Sequence, residues 1–243
     1  DTATGIWSTT QLSIARGWLA ATTVGDKAIF AGGTDDIFAG PNGLYYDRVD
    51  IYDASSDTWS QDTLSVGRAY LTAATLRGRV MVAGGWRTPN ESLSVIDIFD
   101  YTVGSSYCGP AAPNSSGASA KVLATGSDFA SDNDVVLTAT ELPPNQPGFF
   151  LTSQTQGFTP NPGGSDGNLC LGGSIGRYTR PGEVSNSGVG GTISLWLDLS
   201  NTPQPGGSTS ILMGETWNFT AWFRDVNPTP TSNFTDAVSV TFL

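Results

Sequence analysis

Apolar residues in this chain come in short runs suited to extended backbone, each bounded by Gly, Pro, Asn or Asp. Residues 19–24 and 27–31 form two such runs around Gly25-Asp26, a dipeptide that accepts the positive φ of a tight hairpin. They predict two neighbouring inner strands. Beyond residue 107 the runs are 120–125, 134–139, 148–153, 191–199, 215–223 and 237–243, and this spacing with turn residues between predicts a β-sandwich. No amphipathic helix of convincing length interrupts them.

The first hundred residues carry one motif twice. Trp7, Leu12, Arg16, Ala21, Gly32 and Gly33 recur 52 positions later as Trp59, Leu64, Arg68, Ala73, Gly84 and Gly85. Each Gly-Gly is followed by an Asp-x-aromatic-Asp segment, at 50–53 and again at 97–100. Residue types at matched offsets mean one supersecondary unit used twice. The glycine pair ends an apolar strand where a side chain would collide with a neighbouring sheet, so that backbone approaches backbone. Arg16 and Arg68, at equal phase, are expected to hydrogen-bond sheet backbone or an acidic neighbour rather than a ligand.

A period near fifty with a di-glycine after an apolar strand, then an aromatic (Tyr52) and a Trp (Trp59), resembles the kelch repeat. The resemblance implies four-stranded sheets stacked radially as propeller blades. Only two units are present, against the roughly four to eight that close a propeller. Residues 1–7 match 53–59, so the chain starts inside the end of a preceding unit, and the second unit runs past 102–106 without its closing Trp. The expectation is an all-β chain: two kelch-like propeller-blade sheets over 1–103, an incomplete propeller, followed by a β-sandwich over 104–243. Unfinished edges of this kind invite completion by another copy.

Charge and cysteine content narrow the setting. With 22 acidic and 11 basic residues the formal net charge is −11, a sign that repels phosphate backbones and argues against nucleic acid as a partner. No run approaches the roughly twenty apolar residues that span a bilayer, so no membrane insertion is expected. Asp rather than Met at position 1 reads as a processed or truncated start. Cys108 and Cys170 have no His and no further Cys beside them to make a metal site. A disulfide is the natural reading, closing a loop of about sixty residues for about 4 kcal/mol in the chain-entropy model; two reduced, buried cysteines are the alternative. A disulfide implies an oxidising compartment, hence an extracellular or cell-surface protein.

Residues 107–243 also resemble a C-terminal module of secreted bacterial proteins. The motifs that carry the likeness are Tyr107-Cys108, Asn114-Ser115-x-Gly117, Pro143-Pro144-Asn145-Gln146-x-Gly148-x-Phe150, Leu169-Cys170-x-Gly172-Gly173, Trp217-Asn218-Phe219, Trp222-Phe223-Arg224-Asp225 and Asn233-Phe234-Thr235-Asp236. Such modules often carry two further cysteines; Leu142 and Leu243 stand near those places here, so a second disulfide is not expected. The resemblance implies an extracellular β-sandwich with no known catalytic activity.

Candidate chemistry is sparse. The chain has no histidine, which removes His-based triads, most zinc hydrolases and the copper centre of the radical oxidases that share the kelch propeller. Nothing in the spacing of Glu91, Glu141, Glu183 and Glu215 marks an acid and a base. No enzyme is expected. Asp35-Asp36 and Asp132-Asn133-Asp134 bring oxygen ligands together as calcium requires, and turn chemistry explains them equally well; no other cofactor is expected. Asn90, Asn114, Asn218 and Asn233 open Asn-x-Ser/Thr triplets and are candidates for glycosylation, with turn hydrogen bonding the competing role at Asn114 and Asn218. Trp217, Phe219, Trp222 and Phe223 lie at mixed spacing in one strand, so their rings face both ways. Trp217 and Trp222 are candidate glycan contacts where exposed and core plugs where not. Together these features point to a non-enzymatic structural or interaction protein whose partners are other copies of itself, a subunit of a surface fibre or layer or an adhesin. The alternative is a carbohydrate-binding module of a longer secreted kelch protein.

Overall fold

In the computed structural model, residues 9–36, 43–54, 56–76, 78–88 and 90–243 are described. The chain is all-β, with 54% of residues in strands and 4% helical, in several antiparallel sheets of which none closes into a barrel or propeller. It divides into two compact units, Asp1–Phe99 and Asp100–Leu243.

The first unit holds two blade-like sheets. One is built in order from β1 (Ala20–Val24), β2 (Lys27–Ala31), β3 (Arg48–Asp53) and β4 (Thr58–Thr63). The other contains β5 (Thr72–Leu76), β6 (Arg79–Ala83) and, after a short hairpin of β7 (Trp86–Thr88) and β8 (Glu91–Ser92), β9 (Ile96–Asp100), in the order β5-β6-β9. The hairpin turn falls at Gly25, whose φ is 50°, and pairs Val24 with Lys27. The second sheet has no strand equivalent to β4, because the residues that follow β9 pair elsewhere.

That departure moves the unit boundary. Read at 103 from the sequence, it falls at Phe99/Asp100, since β10 (Thr102–Val103) pairs with residues 124–125 of the second unit. The second unit continues with β11 (Ser105–Tyr107), β12 (Lys121–Gly126), β13 (Val135–Thr140), β14 (Pro147–Ser153), β15 (Thr155–Pro160), β16 (Asn168–Gly172), β17 (Gly176–Arg177), β18 (Ser185–Asn186), β19 (Ile193–Leu197), β20 (Thr202–Gln204), β21 (Gly207–Thr209), β22 (Thr216–Val226) and β23 (Pro230–Thr241). One sheet runs β10-β12-β13-β19 and the other β11-β23-β22-β14-β17, with β18 also on β14.

The two sheets of the second unit share one core. Small inward residues on the first (Val122, Ala124, Val135, Ala139) leave room for the rings of Phe150, Trp217, Phe219 and Phe223 on the second, the size complementarity that fills an interior without voids. The outer face of the second sheet is covered as well: Leu171 packs with Leu151 and Phe234 in a separate cluster, bringing the β15–β16 hairpin over it. Cys108 and Cys170 are joined by a disulfide that ties this hairpin to the chain leaving β11, and the Tyr107 hydroxyl donates to the carbonyl of Cys170 at 2.9 Å. Burial pushes the Tyr107 hydroxyl up to about 12.

Candidate functional site

The feature with functional content lies in the blade pair, where the repeat supplies its own internal control. The Arg16 side chain is fully buried and donates from Nε to the carbonyl of Gly32 (2.7 Å) and from its guanidinium to the carbonyl of Phe30 (3.2 Å) and to Asp50 Oδ2 (2.8 Å). Arg68 repeats the donations on the carbonyls of Gly84 (2.8 Å) and Val82 (2.9 Å) and forms the equivalent ion pair with Asp97 Oδ2 (2.7 Å). Burial opposes ionisation of Asp50 and Asp97. Hydrogen bonds from Ser13 and Arg16 to the first, and from Ser65 and Arg68 to the second, together with the guanidinium charges, outweigh it and hold both carboxyls below the ordinary aspartate value. Each arginine therefore clips the end of its own blade and is consumed in doing so.

The glycine pairs divide into two roles. A Cβ on Gly33 would meet the carbonyl of Gly17 at 2.7 Å, and one on Gly85 the carbonyl of Ala69 at 2.7 Å, so the second glycine serves its own blade in both repeats. The first glycine differs. A Cβ on Gly32 would lie 2.5 Å from the carbonyl of Arg68 in the next blade, whereas one on Gly84 meets nothing nearer than the Leu93 carbonyl at 3.7 Å. Both have positive φ, 67° and 64°. Gly84 thus presents, uncovered, the surface that Gly32 presses against a neighbour.

Apolar residues follow the same division. Val24, Val49 and Ile51 are 5%, 0% and 6% exposed on the face of the first blade that meets the second, where Val80 and Val82 are buried opposite. Their repeat equivalents on the second blade, Leu76, Ile96 and Ile98, are 60%, 57% and 56% exposed. Strand register places Leu76, opposite Arg79, and Met81 on this same face. The reverse face of the first blade, equivalent to that of Val80 and Val82, carries Ala28 and Phe30, both only half-buried. Trp59 lies against Phe30 (ring centroids 6.1 Å) and Tyr52 (5.2 Å) there, and Tyr52 donates to Asp57 Oδ1 at 2.8 Å. The blade pair accordingly ends in two different apolar faces, each the counterpart of a face that is packed inside the pair.

A third feature sits at the blade ends. Trp18 and Tyr70, 52 positions apart, stack at 4.7 Å with an interplanar angle of 25°, and both have positive φ, 55° and 56°. Bulky residues held there carry strain of about 1–3 kcal/mol each, a condition that collects at binding sites. Both rings remain exposed.

Several expected sites look different in the folded chain. Trp217 is 1% exposed, with Nε1 donating to Glu215 Oε2 at 3.0 Å, so it is a core plug and offers no ring to a glycan. Trp222 is half-buried against Phe149 (5.0 Å), with the Arg224 guanidinium 5.6 Å from its ring centre. Asn114, Asn218 and Asn233 are buried and their amides donate to main-chain carbonyls of Glu141, Ser153 and Ala112. Attached sugar has no room at those three in the folded protein; Asn90 is exposed. Asp132 Oδ2 accepts from the Ser127 hydroxyl, Asn133 Oδ1 from the Leu199 amide and Asp35 from the Leu44 amide and the Tyr46 hydroxyl. Among the described residues no three His, Cys, Asp or Glu side chains gather to hold a metal ion. Trp7 and the match of 1–7 to 53–59 fall outside the described residues. The open face of Leu76, Ile96 and Ile98 and the Trp18–Tyr70 stack escaped the sequence reading, although the same 52-residue offset relates Val24 to Leu76 and Trp18 to Tyr70.

Comparison with known proteins bears on the same region. A search of curated proteins gave no match, and the likeness of residues 107–243 to a module of secreted bacterial proteins finds no support in these comparisons. A family model described as the Kelch motif matches residues 67–110, the second of the two repeats, and such motifs build protein-interaction modules.

Proposed function

We propose that this chain is a non-enzymatic, extracellular interaction protein that associates with copies of itself, as a subunit of a surface fibre or layer or as an adhesin. The observation that carries the reading is the contrast between Val24, Val49 and Ile51, covered, and Leu76, Ile96 and Ile98, exposed at the same repeat positions. An apolar sheet face of this kind is the form that protein interfaces take before they are occupied. Kelch motifs serve as interaction modules rather than catalysts in general, and the Cys108–Cys170 disulfide suits an oxidising compartment. No helix among the described residues is long and apolar enough to cross a membrane. Light scattering over a concentration series tests the reading: mass should rise with concentration, and a mass fixed at one chain throughout contradicts it.

The Trp18–Tyr70 stack favours a second reading, recognition of carbohydrate, since exposed rings fixed in one orientation match the apolar face of a sugar. A glycan array should then give reproducible hits that Trp18→Ala abolishes; an array without hits removes this reading.

A further inference from the structure

The two outer faces of the blade pair are complementary. Inside the chain, the Val24–Val49–Ile51 face of the first blade, which carries Thr22, turns toward the Val80–Val82 face of the second, which carries Thr75, and the two threonine hydroxyls meet at 3.0 Å. Gly33 donates its N–H to the carbonyl of Arg68 at 2.9 Å, Arg68 its N–H to the carbonyl of Tyr46 at 3.1 Å, and Thr75 its hydroxyl to the carbonyl of Thr23 at 2.6 Å. We propose that the same joint forms between molecules, with the Leu76–Ile96–Ile98 face of one copy docking on the Ala28–Phe30–Trp59 face of the next. This rests on the self-association reading above and narrows it, naming both surfaces and the direction of assembly and making the product of this joint a closed ring rather than a growing fibre.

Repeat register specifies the contacts. Gly85 stands where Gly33 stands, Arg16 where Arg68 stands, Leu93 where Tyr46 stands and Thr23 where Thr75 stands. The intermolecular joint therefore sets the Gly85 N–H on the Arg16 carbonyl, the Arg16 N–H on the Leu93 carbonyl and the Thr23 hydroxyl on the Thr75 carbonyl of the adjoining copy. Gly85 N–H makes no main-chain hydrogen bond among the described residues, in contrast to Gly33. The empty space beside Gly84 is where the Arg16 carbonyl of the docking blade belongs, as the Arg68 carbonyl fills that space beside Gly32.

The two faces differ, so the joint is head-to-tail, and a head-to-tail joint closes into a ring when the rotation it repeats returns to the start, as the rotation between propeller blades does. Propellers close with roughly four to eight blades, so with two blades from each copy the ring holds about two to four copies. Like-to-like pairing of the Leu76–Ile96–Ile98 faces would instead bring glycine-backed surfaces together with no carbonyl to fill the space at Gly84.

Two sets of variants, checked for folding by circular dichroism, separate these arrangements in sedimentation velocity. Ile98→Asp and, independently, Gly84→Ala disable the open face of the second blade; Trp59→Asp and Ala21→Arg disable that of the first. The wild-type chain is expected to form a closed oligomer, each variant alone to remain monomeric, and a 1:1 mixture of Ile98→Asp with Trp59→Asp to form a heterodimer and nothing larger. Dimers of Trp59→Asp alone, a mixture that stays monomeric, or open-ended wild-type polymers would overturn the head-to-tail ring while leaving self-association standing. A wild-type chain that stays monomeric at every concentration would overturn both.

Discussion

Asp97 and Asp50 each neutralise an arginine that is wholly enclosed by its blade. Removing one partner of such a pair strands the other in a poorly solvating site. Asp97→Asn is accordingly expected to lower the stability of the first unit by about 3 kcal/mol in urea unfolding; a loss below about 1 kcal/mol would show that Arg68 is held by carbonyls alone. The pH dependence follows from the lowered carboxyl values. The contribution of these aspartates is complete above the unfolded value of about 3.9 and is lost as pH falls through the lower folded values. Stability should therefore decline below about pH 4, less steeply in Asp97→Asn than in the wild type. The glycines give a sharper comparison when unfolding is followed at concentrations low enough for the chain to be monomeric. There Gly84→Ala incurs about 1–2 kcal/mol of left-handed backbone strain, whereas Gly32→Ala adds an overlap with the Arg68 carbonyl, expected to cost about 1–3 kcal/mol more. Equal losses in the monomer would mean that the space beside Gly84 is closed within the chain itself.

In the second unit the element with most to lose is the β15–β16 hairpin, fastened by the disulfide to the chain beyond β11. Cys170→Ser with Cys108→Ser is expected to destabilise this unit by about 4 kcal/mol. The Tyr107 hydroxyl, which burial beneath the hairpin pushes up to about 12, should then titrate closer to its ordinary value in an ultraviolet titration. An unchanged titration would show that the hairpin stays docked without the bond. This hairpin also marks where sequence reading stopped. The runs at 27–31, 134–139 and 148–153 were legible because their apolar residues stand together in short stretches bounded by turn residues, and they became β2, β13 and β14 within a residue at either end. Residues 155–160 are Thr, Gln, Gly, Phe, Thr and Pro, with no apolar run to read. Their strand exists because it covers β22, whose outward Asn218 accepts from Gln156 Nε2 at 3.3 Å. Alternation reports which side chains share a face of a strand and is silent on what lies over that face. Trp217 followed from this: its phase set it beside Phe219, and only the opposing sheet decided that this phase is the core.

For the molecule as a whole, the repeat was legible because Gly and Arg have few substitutes at positions that need a left-handed backbone or five donors on main-chain carbonyls. Its consequence for assembly was not, since a Leu or Ile at a repeat position reads alike whether a neighbour covers it or water does. Leu76, Ile96 and Ile98 acquire meaning only beside Val24, Val49 and Ile51. Sedimentation velocity of the wild-type chain across a wide concentration range tests whether the open faces are interfaces. An oligomer of about two to four copies that gains population with concentration is expected; a single monomeric species at every concentration would contradict it.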